Sequence, residues 1–481
     1  MKRFTTISSV FLSLILASTL LAEAPKPNVV IFLTDDTGYR DIGPFGGLTP
    51  TPNLDRMAAE GMKLTSFYVA SVKCSPSRAA LLTGCYASRI GMDGAVMYPG
   101  QARGLNPAEV TIAEMLKEAG YRTGCIGKWH LGDQPEFLPL AQGFDEFEGI
   151  PFSCDMWNYL NPRAAGKLKQ KGLKNVRPLL PWLKGNKVVA WIDAPFSHAI
   201  MNDAIAQSCV NFIDRNHDQP FFLFVPFPAT HRPQIVLKER AEEIEALGCR
   251  AVAKYTQIAE IDTCVGRVID TLTKHGIDNN TLIVYTNDNG GNSEFYREGL
   301  TVPRGGKFGP MYEGNMRMAT LAWWPGTIPS GVTCDELISS IDIFPTLATF
   351  GGGTVPADRV IDGKDVSSVL KGEGPSPNTY IFYENGGARQ GNWKIVKMHK
   401  QPAQLYDLET DYGERNDVAQ ENPEIVERLE EALREHVVRI SQDRRPPGKA
   451  ANPKPLLSDP TGVPSLADYL GREVEKVYGE K

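Results

Sequence analysis

The chain has 481 residues, 42% of them hydrophobic and 22% charged, with a formal charge of −6. At roughly 100–200 residues per domain this suits two or three domains, or one large α/β unit with an appendage, and it supports a core without disulfide staples. The acidic balance argues against nucleic acid as the main partner, and eight scattered cysteines without a CxxC argue against a disulfide framework or a structural zinc site.

The N-terminus carries Lys2 and Arg3, then an apolar run Val10 to Leu21, then the small residues Ala22 and Ala24. That order predicts a secretory signal peptide over residues 1–22. The run is shorter than the ~20 residues of a membrane span, so stable membrane insertion is not expected. Cleavage would remove two basic residues and no acid, leaving a more acidic mature chain in a secreted or periplasmic location.

Short apolar runs then alternate with helical patterns. "NVVIFLT" (28–34) reads as a buried strand. "EVTIAEMLKEAG" (109–120) reads as a helix leading into the strand "TGCIG" (123–127). "MNDAIAQSCVNFIDRN" (201–216) leads into "PFFLFVP" (220–226), and the helical stretch 255–276 leads into "LIVYT" (282–286). "MATLAWWP" (318–325) is a fifth strand. This alternation predicts an α/β fold, a mostly parallel central sheet with helices on both faces. A Gly- and Pro-rich linker, "KGEGPSPN" (371–378), separates a catalytic domain over 25–371 from a smaller C-terminal α+β domain over 379–481. There "TYIFYE" and "WKIVKM" predict an antiparallel sheet, 422–440 an amphipathic helix, and the Pro-rich tail irregular structure.

Polar clusters follow the strands directly. Asp35 and Asp36 follow the first, Lys128 and His130 the second, His231 the third, Asp288 and Asn289 the fourth. Open α/β sheets bind ligands outside the carboxyl ends of their strands, so these distant segments should converge. Adjacent carboxylates repel unless a cation lies between them, and three acids with an amide oxygen suit Ca²⁺ or Mg²⁺ rather than zinc. Arg78, Lys128, Lys307 and the two histidines supply positive charge and proton transfer for an anionic group. His198, His217, His275, His399 and His436 have no such context.

The stretch "CSPSRAALLTG" (74–84) resembles the signature of the type I, formylglycine-dependent sulfatases of the alkaline-phosphatase-like superfamily. "FLTDDTGYRDIG", "GKWHLG", "ATHRP", "YTNDNGG" and "RGGKFGPMYEG" agree with that family in kind and order. The resemblance implies that a maturation enzyme oxidises Cys74 to formylglycine (3-oxoalanine), whose hydrate carries two hydroxyls. One attacks sulfur and takes the sulfate as the alcohol leaves. The other then loses its proton, the aldehyde reforms and sulfate departs. It implies a calcium held by Asp35, Asp36, Asp288 and Asn289 with modified Cys74. Arg78 and Lys128 would hold the modified residue, His130 would bond its hydroxyl, and His231 and Lys307 would contact the sulfate and protonate the leaving oxygen. The substrate would be an aryl sulfate or a sulfated carbohydrate. Two positions depart from the family: Cys85 stands where Arg is common, and Arg40 where a small residue is commoner.

Two other readings compete. One is a phosphomonoesterase, phosphodiesterase or phosphonate monoester hydrolase of the same superfamily; the other is a non-catalytic secreted glycan-binding protein. The complete set of acids, lysines and histidines weighs against the second. The aromatic and basic segment Pro151–Pro195, with Trp157, Tyr159, Trp182 and Trp191, suggests a sugar-binding insertion, with a solvated loop as the alternative.

Overall fold

The computed structural model describes residues 25–94, 96–156, 179–291, 303–384, 386–457 and 459–479. The expected signal peptide, and Trp157 and Tyr159, lie outside the described residues. An eleven-stranded sheet forms the centre. Its middle is parallel, in the order Thr281–Asn287, Asn28–Thr34, Phe221–Pro226, Arg122–Lys128, Glu146–Ile150. The predicted fifth strand, Arg317–Trp323, pairs antiparallel with Thr281–Asn287, and the hairpin Leu180–Lys184 and Lys187–Ile192 closes the other flank antiparallel.

Period-two alternation explains why the first strand is apolar throughout. Val30 and Phe32 face one layer, with Ile205 and Phe212 of helix Met201–Asn216 and Ile258 and Val265 of helix Val252–Lys274. Val29, Ile31 and Leu33 face the other, with Leu81 of helix Cys74–Thr83, Met115 of helix Ile112–Glu118 and Phe344 of helix Ile343–Gly351. Helix Ile112–Glu118 starts at a capping box, in which Glu114 N–H donates to the Thr111 hydroxyl and Thr111 N–H to the Glu114 carboxylate. Truncating the fully buried Phe32 to Ala would cost about 3–5 kcal/mol.

Beyond the large sheet, Ile381–Phe382, Gly387–Gln390, Trp393–Val396 and Gln404–Asp407 form a four-stranded antiparallel sheet. Helix Pro423–Gln442 lays Leu429 and Leu433 against its Ala388, Ile395 and Leu405. The tail does not stay with this unit. Gly448–Lys449 pairs with Arg103–Gly104, and Val477–Gly479 with Ile235–Leu237, so residues after 442 run back over the large sheet. The expected linker is also anchored: Ser376 N–H donates to Glu336 at 2.8 Å and the Asn378 amide to Asp342 at 2.6 Å. No helix among the described residues is long and apolar enough to cross a membrane.

Candidate active site

The parallel register builds the site. Thr34 is opposite Asn287 and Leu33 is opposite Pro226, so Asp35 and Asp288 leave the sheet side by side. Asp288 N–H donates to Thr34 O at 3.0 Å and Asp35 N–H to Ala229 O at 2.9 Å, which ties three strand ends together. Gly127, next to Lys128, has φ +133°, and a Cβ there would lie 2.1 Å from Pro226 O; only glycine lets these two strands approach so closely.

Cys74 opens the wholly buried helix Cys74–Thr83, at the end where unpaired backbone N–H groups favour negative charge. Its Sγ lies 3.6 Å from Asp35 Oδ1 and 3.4 Å from Lys307 Nζ. Arg78 is one turn on. Its guanidinium donates to Asp288 at 2.9 Å, to Asp35 at 3.1 Å and to the Lys128 carbonyl at 2.6 Å. Lys128 pairs with Asp35 and donates to Ser153 Oγ at 2.9 Å. Both basic residues therefore grip the acids rather than Cys74 itself.

The outer half of the site is partly open. Lys307 donates to Asp36 at 2.8 Å, and the Asn289 amide donates to Asp36 at 2.7 Å. His231 Nδ1–H donates to the Arg232 carbonyl at 2.7 Å, which places Nε2 3.5 Å from Asp36. His130 Nε2–H donates to Met97 O at 3.0 Å, leaving a buried Nδ1 acceptor without a partner. Asp36 and His130 both adopt left-handed backbone, φ 59° and 64°, a costly geometry that tends to accumulate at functional sites.

Burial and charge set the protonation states. Burial works against the Asp35 carboxylate, yet Lys128, His231, Arg78 and Lys307 hold its pKa well below the usual range. Burial, with Asp35 adding repulsion, lifts Asp288 to about 6 against the pull of Arg78 and Lys128. Burial, Lys128 and Arg78 keep His130 neutral, far below the ordinary histidine value. As a plain thiol, Cys74 is pushed well above its normal pKa by burial and by Asp35 and Asp288.

The residues fit a hard cation. Asp35, Asp36, Cys74 and His231 offer ligand atoms within 4.8 Å of one another. Asp288 Oδ1 and Asn289 Oδ1 are buried without a hydrogen-bond donor. Unpaired buried oxygens on residues beside Asp35 and Asp36 favour positive charge nearby, because leaving them so costs about 1–3 kcal/mol each.

A pocket of about 510 Å³ opens onto Cys74, Asp36, His130, His231 and Lys307. Its outer wall includes Tyr98, Asp155, Met156, Gln234 and Phe308, none of which stands out in the sequence. Trp182 and Trp191 of the suspected sugar-binding insertion do not line it: Trp182 fills the core of the edge hairpin, and Trp191 N–H bonds to Pro464 O. Of the five histidines set aside, His436 stacks on Phe382 and His217 on His275, away from the site.

This fold agrees with what the chain is similar to. Residues 27–353 match the Sulfatase family, and residues 308–442 match the family described as N-sulphoglucosamine sulphohydrolase, C-terminal. Arylsulfatase A of Homo sapiens is 40% identical over 389 residues, covering 76% of this chain and 71% of that protein. N-acetylgalactosamine-6-sulfatase of Rattus norvegicus is 36% identical over 393 residues, covering 76% and 70%. Among solved structures, Ps i-CgsB in complex with k-i-k-neocarrahexaose superposes with a TM-score of 0.75 at 30% identity, covering 88% of this chain and 95% of that one. PsFucS1 sulfatase from Pseudoalteromonas sp. gives 0.76 at 26%, covering 89% and 92%. A phosphonate monoester hydrolase of Agrobacterium radiobacter shares the fold at 20% identity. The chain belongs to the sulfatase family. It is a sulfuric ester hydrolase of the alkaline-phosphatase-like superfamily.

Proposed function

We propose that this sulfatase cleaves sulfate monoesters of carbohydrates through a formylglycine made from Cys74, beside a calcium ion held by Asp35, Asp36, Asp288, Asn289 and the modified residue. The carrying observation is the placement of Cys74 Sγ, which stands in for the formylglycine oxygens. It lies at the floor of the pocket, with Asp35 at 3.6 Å and Lys307 at 3.4 Å. When bound, a divalent cation would neutralise charge on the sulfuryl oxygens and make a nearby hydroxyl more acidic.

The chain's own groups then divide the work. The unpartnered Nδ1 of neutral His130 is available to accept a proton from a hydroxyl on residue 74. Arg78 and Lys128 fix the orientation of Asp35 and Asp288. Lys307 and His231 line the pocket over residue 74, where they can bind the sulfate and deliver a proton to the leaving oxygen. The names of N-acetylgalactosamine-6-sulfatase and of the neocarrahexaose complex support a sugar substrate over a simple aryl ester. A secreted or periplasmic location, reached after removal of residues 1–22, and a formylglycine-generating enzyme as maturation partner complete the reading.

Mass spectrometry of the peptide holding residue 74, with sulfate release from a panel of sulfated glycans and aryl sulfates, tests it. An aldehyde in active protein is the expected result, and a plain thiol at full activity would refute it. Matched sulfate and phosphate esters test the chemistry: kcat/KM should be higher for the sulfate.

A further inference from the structure

The outer wall of the pocket holds a carboxylate with no assigned task. Asp155 lies in the short turn Cys154–Met156 and lines the pocket with its side chain one-third exposed. Its Oδ1 is nevertheless shielded from solvent and has no hydrogen-bond donor. Among the described residues the nearest basic atom is His231 Nδ1 at 3.9 Å, but that nitrogen already donates to the Arg232 carbonyl at 2.7 Å. Other polar groups on this wall are engaged: Lys254 pairs with Asp41 at 2.8 Å, and the Gln234 amide donates to Thr230 O at 2.8 Å. A carboxylate that is one-third open to the pocket and has no hydrogen-bond donor on its shielded oxygen favours a ligand that brings a donor to it.

Position says what kind of ligand. The His231 ring separates Asp155 from Asp36, with one edge toward each. A sulfate seated over Cys74 therefore leaves Asp155 facing the group next to the scissile ester, one imidazole width from the reacting centre. A carboxylate there accepts from hydroxyls and repels a second sulfate or a uronate carboxylate. Tyr98, Met156 and Phe308 add apolar wall, and Phe308 is half exposed with its backbone held at φ 64°. Such surfaces suit the C–H face of a pyranose. An aryl sulfate would use the apolar wall alone, whereas a sugar would use both.

Resting on the sulfatase reading above, we propose that Asp155 is the specificity-determining residue of this pocket: it accepts a hydrogen bond from a hydroxyl flanking the sulfated carbon, and so selects sugar rings whose only charge is the sulfate being removed.

The test compares wild type with Asp155→Asn on a monosulfated hexose or hexosamine, on its two deoxy analogues flanking the sulfated carbon, and on 4-nitrophenyl sulfate. Asn removes the charge and keeps the shape. The ratio of sugar to aryl kcat/KM should fall at least ~10-fold, carried mainly by KM, as expected when a buried polar group loses its partner. One deoxy analogue should be nearly insensitive to the substitution, and a disulfated sugar should gain relative to the monosulfated one. The aryl ester serves as the folding control. Equal losses on both esters would assign Asp155 to orienting His231 and overturn the proposal while leaving sulfatase chemistry intact. An unchanged ratio would overturn it too. Wild type releasing sulfate from neither ester would bring down the functional reading and this inference together.

Discussion

Two clusters of buried charge stand in contrast in this molecule. Both carboxylate oxygens of Glu313 are answered. Oε1 accepts from the Tyr383 hydroxyl at 2.6 Å and from Lys394 at 2.9 Å; Oε2 accepts from the Tyr68 hydroxyl at 2.7 Å and from Arg317 at 3.1 Å. Lys394 also pairs with Glu414 at 2.7 Å, and its pair with Glu313 joins the small antiparallel sheet to the segment that follows Lys307. Around Asp288 one oxygen meets Arg78 and the other meets nothing, as does the Asn289 oxygen beside it. Burial opposes ionisation in both. For Glu313 it is overcome by Lys394, Arg317 and Arg389, and the pKa falls well below normal. For Asp288 it prevails with the help of Asp35, and the pKa rises to about 6. Glu313, which holds elements together, has both its oxygens paired, whereas the proposed ion site leaves two oxygens unpaired.

The contrast can be tested from its strongest point downward. Cys74→Ala should lower sulfate release at least ~10³-fold while leaving the Glu313 cluster intact, because it removes the attacking group and only one of the five proposed calcium ligands. Chelation should abolish activity and lower the melting temperature, since an ion present at about 1,000 times its Kd contributes about 4 kcal/mol. Calcium or magnesium should restore both, and rescue by zinc alone would contradict the oxygen donors. Glu313→Gln should destabilise the fold by about 3–5 kcal/mol, measured by urea unfolding, because it takes the buried carboxylate from Arg317 and Arg389 and leaves Lys394 with Glu414 alone. The drop on chelation should be the same size in that variant if the clusters are independent.

The smallest effect is a pH slope. Burial raises Glu414 from 4.5 to about 7, with Lys394 opposing and Glu313 adding to the shift. The folded state thus holds this proton more tightly than the unfolded chain. Stability is fully present below pH 4.5 and falls as pH rises toward 7, by at most roughly 3 kcal/mol. Glu414→Gln should flatten that part of the urea-midpoint profile between pH 5 and pH 8.

Most of the proposed catalytic cluster was legible because Asp35, Asp36, Lys128, His130, His231, Asp288 and Asn289 follow apolar runs, and parallel pairing brings those ends together; Arg78 and Lys307 stand out only through the family motifs. The Glu313 cluster obeys no such rule. Tyr68, Glu313 and Lys394 come from three elements and Tyr383 from a loop, and they meet only through tertiary packing. Asp155 and Tyr98 sit in turns without periodicity. Trp182 misled because aromatic content speaks equally for a binding wall and for a packed hairpin. Cys85, a departure from the family, finds its explanation in the tail. Arg445, 360 residues away, brings its guanidinium to 3.4 Å from the Cys85 sulfur while holding Glu109 at 2.8 Å. A long-range replacement of this kind leaves no local signal.

The latch between the two units bears on timing during biosynthesis. Glu384, in left-handed backbone beside the small sheet, accepts from Ser71 Oγ and from Val72 N–H at 3.3 Å, just ahead of Cys74. Ser71 and Glu384 are 313 residues apart, so the segment entering the signature helix is fastened only after most of the chain has emerged. All ten residues of that helix are buried once folded, so the proposed maturation enzyme would have to reach Cys74 before this packing is complete. The proposed oxidation therefore has a window that closes when the C-terminal sheet docks. A chain that misses it would keep its thiol, fully folded and without the nucleophile, and later exposure to the maturation enzyme would not rescue it.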